Sequence, residues 1–138
     1  MATLKISELS VGDWVMVEWP DGERWRGKLT RLSEAGGIEV SCANGKHVRC
    51  SSNFISPIPI TAKMLKKNGF EDDLPKGKAY KLGVNNDVWL FRSDKCWDFR
   101  IYHDFYSEGI IQTKLWIEYI HQLQHALRLA GVEKEINL

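Results

Sequence analysis

Between Asp13 and Cys50 the chain alternates apolar and polar residues with a period of two, interrupted by short runs of turn-forming residues. A period of two puts successive side chains on opposite faces of an extended strand. The pattern predicts strands over DWVMVEW (13–19), RWRGKLTRL (24–32), IEVSCA (38–43) and HVRC (47–50), with turns at PDGE, EAGG and NGK. Val15, Val17 and Trp19 share one face. Trp25, Leu29, Ile38, Val40, Cys42, Val48 and Cys50 complete a core with them. Four or five short strands joined by tight turns predict a small SH3-like (Tudor-like) β-barrel over residues 1–57. Trp14 and Met16 then face outward and need cover, and the nearest cover is the rest of the same chain.

The alternation stops at SPIPIT, Ser56 to Thr61. Two prolines one residue apart force an extended path and donate no backbone hydrogen bonds, so the boundary between two halves is placed there. Residues 58–138 predict an α+β unit. Thr61 caps a short helix, AKMLKKN, which Gly69 stops. EDDLPKGK (71–78) reads as a polar loop. AYKLGV, VWLFR and WDFRIYHDFY read as strands of an antiparallel meander, turned at NND and SDK. Ile110 and Ile111 begin a fourth strand or lead directly into a C-terminal helix, expected from about Lys114 to Ala130 and ended by Gly131. The fold class is therefore mixed β and α+β: a barrel followed by a meander with a C-terminal helix.

That last helix contains IEYIHQLQHAL, with histidines one turn apart. At about 100° per residue, Ile120, Leu123 and Leu127 fall within about 40° of Trp116 and form an apolar stripe. His121 and His125 fall at about 140° and 180°, on the opposite side with Glu118. Histidines at i and i+4 can share a metal ion, but a third ligand is needed and no other His/Cys pair has ligand spacing. The sequence favours a polar surface face here, with no metal and no cofactor.

Composition narrows the function classes. Apolar residues make up 43% of the 138, enough for a core, and six are tryptophan. Net charge is +1. Residues 1–57 carry seven basic and seven acidic side chains, leaving twelve and eleven in the remainder. Neither half is a polycation, which weighs against broad attraction to phosphate. Cys42, Cys50 and Cys96 are odd in number and lack CxxC spacing, which argues for a reducing cytoplasm. The opening residues carry no long apolar run, and no stretch is long enough to span a membrane.

PIPIT..ML..NGF (57–70), IEYIHQLQHAL (117–127) and the GDWV that opens the first strand (12–15) carry a resemblance. Together they resemble small uncharacterised proteins borne by prophages and mobile elements of gut bacteria. The resemblance implies an origin and a shared fold. It implies no activity, substrate or catalytic residue.

Catalytic constellations are weak. Cys42 and Cys50 have inward parity, and Cys96 lies about 23 Å along an extended strand from His103, too far for a nucleophile–base pair. Asp98 and Asp104 share a strand face but lie six residues apart. P-loop, GxGxxG, HExxH and EF-hand spacings are absent. The reading is a non-enzymatic protein-binding or accessory protein of a phage or mobile element. Its unidentified protein partner would be recognised through Trp14, Trp19, Trp89 and Tyr102, since large amphipathic aromatics dominate interface energy. The alternative is a nucleic-acid-binding factor that uses a basic ridge of Arg24, Arg26, Lys28 and Arg49. WLF (89–91), apolar on both strand faces, offers a homodimer contact.

Overall fold

The computed structural model describes residues 4–33, 37–73, 77–82, 87–102 and 115–138. It is mostly antiparallel β, with two sheets and two α-helices. The chain divides into two compact units: residues 1–59 with 119–121, and residues 60–118 with 122–138.

The first unit is a five-stranded half-barrel of β1 (Trp14–Glu18), β2 (Arg24–Leu32), β3 (Gly37–Cys42), β4 (His47–Ser51) and β5 (Ile55–Ser56). Their order in the sheet is β4-β3-β2-β1-β5. Period two works as expected on the inner face, where Val15, Val17, Leu29, Ile38, Val40, Cys42 and Ile55 are buried. At about 1.5–3 kcal/mol for each fully buried large aliphatic side chain, this face holds the sheet together. Leu4 and Leu9, N-terminal to β1, belong to the same core. A register shift between Leu29 and Arg31 lets Leu29 and Leu32 both point inward. Gly27 lies between Trp25 and Leu29 on that face, and a Cβ there would press into the Val40 side chain and come 2.9 Å from the Ser41 carbonyl oxygen. The close approach of β2 to Val40 and Ser41 on β3 therefore depends on Gly27 having no side chain.

The second sheet has the order β10-β9-β8-β7-β6, from β6 (Glu71–Asp73), β7 (Ala79–Leu82), β8 (Asp87–Arg92), β9 (Trp97–Tyr102) and β10 (Leu115–Ile117). Trp97, Phe99 and Ile101 of β9 are buried on one face as predicted, and Tyr80 and Leu82 of β7 and Val88 and Leu90 of β8 are buried with them. Tyr80 and Trp97 meet edge to face at 5.6 Å. Helix α1 (Ala62–Lys67) is capped by Thr61, whose hydroxyl accepts from the Met64 amide at 3.3 Å. Its other end closes on Gly69 at φ 87°, with the Phe70 amide donating to the Leu65 carbonyl. Asn68 is buried just beyond this helix, and its side chain both donates to the Asn137 carbonyl and accepts from the Asn137 amide. Those two bonds fasten the C-terminal tail, where Val132 and Ile136 are buried.

Two expectations need correction. Glu71–Asp73 form strand β6 rather than part of a loop, because β7 supplies a ladder for them. The last helix is shorter than predicted: α2 spans Ile120–Leu129, and Leu115–Ile117 form β10, paired with Trp97–Phe99. Flanking groups compete for this segment. The Ile60 amide donates to the Glu118 carbonyl at 3.1 Å, and the Ile120 amide donates to the Ile58 carbonyl at 2.8 Å. Gln122 reaches back to accept from the Glu118 amide at 2.7 Å, which marks the helix start. Gly131, at φ 73°, ends α2 as expected, with the Val132 amide bonded to the Leu127 carbonyl. Ile110 and Ile111 lie outside the described residues.

Candidate functional site

Hairpin β1–β2 turns through Pro20–Glu23, with the Trp19 amide donating to the Glu23 carbonyl at 2.9 Å and the Gly22 amide to the Trp19 carbonyl. Gly22 has φ 91°, a conformation that L side chains rarely adopt. This closure sets Trp19 and Trp25, at the two ends of the turn, edge to face with centroids 5.6 Å apart and planes at 72°. A 3₁₀ turn, Ser52–Phe54, follows β4 and brings Phe54 to 5.8 Å from Trp19 at a tilt of 37°. Both tryptophans are half-buried and pack against the barrel core. The Lys46 ammonium, from the β3–β4 turn, lies 5.0 Å from the Trp25 ring centroid. Trp19 Nε1 is buried and finds no acceptor among the described residues. A buried donor left without an acceptor costs about 1–3 kcal/mol.

The second sheet carries a different aromatic arrangement on the face opposite Trp97 and Phe99. Trp89 and Phe91 stack at 5.7 Å with planes 8° apart. Lys81 lies over Trp89 at 5.4 Å, and the Arg100 guanidinium over Phe91 at 4.8 Å. Arg100 also bonds Asp98 Oδ2 through Nε at 2.8 Å and Nη2 at 2.6 Å. Asp98 is buried, and its Oδ1 finds no donor among the described residues. Trp116 is the cross-strand neighbour of Asp98 and is 53% exposed.

The expected recognition residues do not form one surface. Trp14 is 7% exposed, with the Lys28 ammonium 5.2 Å from its ring centroid: it is covered, as its outward parity requires, and its place among the exposed recognition residues is corrected. Outward parity fixes the side of a strand but says nothing of what covers that side. Trp14 opens β1 and Trp19 follows its last residue with the opposite parity, and Trp89 belongs to the second unit. The Tyr102 side chain lies outside the described residues, as do His103 and Asp104. Of the expected residues, Trp19 alone joins the Trp25–Phe54 cluster. Strand parity places Trp25 in the core, and no periodicity marks Phe54 as its neighbour. The turn-forming SSN just before it was the available signal.

The basic ridge is divided. Arg24, Arg26 and Lys28 share the outer face of β2, but Arg24 pairs with Glu18 at 3.3 Å and Lys28 is engaged over Trp14. Arg49 stands across from Glu39, which in turn stands across from Arg31, so it sits in a different row from the other three.

On α2, Ile120, Leu123 and Leu127 are buried as the stripe predicts, but Trp116 is not on the helix at all. His121 was expected on a polar surface and is 1% exposed, its ring stacked near Tyr119 at 6.0 Å. The helix buries a wider arc than the apolar stripe. Among the described residues no group of three His, Cys, Asp or Glu is placed to hold a metal ion. Burial pushes the Cys42 and Cys50 thiols above their ordinary pKa, and Cys42 raises Cys50 further, which makes both poorer nucleophiles. An open hollow of about 570 Å³ beyond α2, bordered by Arg128, Glu133, Lys134 and Glu135, mixes both charge signs and converges on no reactive group. No helix among the described residues is long and apolar enough to cross a membrane. No family model matches the chain, and no curated protein matches it.

Proposed function

We propose that the chain is a non-enzymatic protein-binding module that recognises its partner with the Trp19–Trp25–Phe54 cluster. The observation that carries this reading is the half-buried group of Trp19, Trp25 and Phe54, gathered where the β1–β2 turn meets the 3₁₀ turn after β4. Partner side chains would cover the part of these rings that remains exposed, which is how large aromatic residues serve as interface anchors. The strand order β4-β3-β2-β1-β5, with a 3₁₀ turn between β4 and β5, supports reading the half-barrel as SH3-like. The resemblance of residues 12–15, 57–70 and 117–127 to small prophage-borne proteins is the ground for reading the chain as an accessory protein of a mobile element.

Affinity capture from a lysate of the bacterial host tests the reading. The full chain should retain a protein partner after nuclease treatment, and Phe54→Ala should release it. A partner that disappears with nuclease would instead favour the basic face of β2 as the working surface.

A further inference from the structure

We infer that the Trp19–Trp25–Phe54 cluster takes a cationic side chain, a lysine or arginine of the partner peptide, and that Lys46 of this chain holds its place in the free protein. The inference rests on the protein-binding reading and adds the chemistry of the ligand.

The rings are not a closed stack. Trp19 and Trp25 meet at 72°, Phe54 is tilted by 37° to Trp19, and all three residues are only half-buried. The negative face of an indole attracts ammonium and guanidinium groups. One such group is already there, the Lys46 Nζ at 5.0 Å from Trp25. Its turn is built to present it: Gly45 adopts φ 85°, the Lys46 amide donates to Asn44 Oδ1 at 3.0 Å, and the Lys46 carbonyl accepts from the Cys42 amide at 2.7 Å. The backbone is thereby fixed, but the side chain is exposed and makes no ion pair among the described residues. A flexible lysine held only by a ring face is readily displaced by another cation.

The surrounding charge selects the same sign. Between the two tryptophans the chain reads Pro20-Asp21-Gly22-Glu23-Arg24. Arg24 turns back to Glu18, so it does not neutralise the turn. Asp21 and Glu23 are exposed, and Asp21 Oδ1 is occupied only by the Glu23 amide at 3.0 Å. These two carboxylates favour an arriving cation and repel a phosphate backbone. The same rings would otherwise suit stacked bases, so the acidic turn separates a cationic peptide from nucleic acid.

The test is selection of a random peptide library displayed on phage against the full-length protein, followed by affinity measurement from tryptophan fluorescence. Enriched peptides should carry Lys or Arg at one fixed position. Replacing that residue by norleucine, which keeps the aliphatic stem, should weaken binding at least tenfold. Lys46→Ala should tighten the same peptide severalfold, because the resident competitor is gone. Trp25→Leu should weaken it at least tenfold, with Phe54→Ala as the second variant should Trp25→Leu fail to fold. Enriched peptides with no fixed cation, or norleucine peptides that bind equally well, would overturn this inference and leave the protein-binding reading standing. Weaker binding by Lys46→Ala would overturn the placeholder role. Absence of any enriched peptide with both the wild type and Lys46→Ala would overturn both.

Discussion

The two sheets each gather aromatic rings and cations, but they finish the arrangement differently. On the second sheet, Lys81, Trp89, Phe91 and Arg100 form a continuous series on neighbouring strands, and the buried Asp98 neutralises the guanidinium. The cations there arise from the ladder itself, so sheet pairing fixes their positions. On the first sheet, the rings sit at the ends of a turn, and the Lys46 ammonium over Trp25 comes from an exposed loop. In the second-sheet cluster both cations are placed by paired strands, whereas the cation of the first-sheet cluster is a side chain on an exposed turn, which makes that cluster the candidate for binding.

Arg100→Ala should have the largest effect, a loss of about 3 kcal/mol in urea unfolding, because it strands a buried carboxylate without its partner. An unchanged midpoint would mean that the second cluster is no more structural than the first. Gly27→Ala should cost about 1–3 kcal/mol by overpacking against Val40, a loss measurable by thermal unfolding. Retained stability there would show that the half-barrel can open without penalty behind Trp25. Trp19→Phe should shift stability by no more than about 1 kcal/mol, since it removes ring area and an unsatisfied donor together, yet it should abolish partner capture. The smallest effect concerns the thiols of the first sheet. Their folded-state pKa is raised, so the unfolded chain loses these protons first as pH climbs through about 8.5, and stability falls from there upward. That decline should be shallower in a Cys42→Ala, Cys50→Ala variant than in the wild type.

Much of this architecture is legible in the residues. The β2 boundaries, the inner face of Val15, Val17, Leu29, Ile38 and Val40, the Thr61 cap and the Gly69 and Gly131 stops follow from local patterning. These features depend on a strand period, a capping hydroxyl or a positive φ, all of which act within a few residues. The candidate site was legible only in part. Trp19 and Trp25 could be placed on one face, but Phe54 joins them through a 3₁₀ turn nearly thirty residues further along. Local patterning does not encode that meeting.

Residues 115–121 mark where local preference ended and tertiary structure decided. By periodicity, Trp116 belonged to a helical stripe and His121 to a polar face. In the fold, Trp116 is on an edge strand and exposed, and His121 is buried. Trp, Ile and Tyr fit a strand as well as a helix, so the choice passed to whichever backbone groups lay in reach. Here those groups were on β9 and in the proline-bounded segment Pro57–Pro59. The sequence by itself determined the alternating strands and the stops. Long-range hydrogen-bond partners decided where the last helix begins, and long-range packing decided which tryptophans are covered and which rings meet in an open cluster.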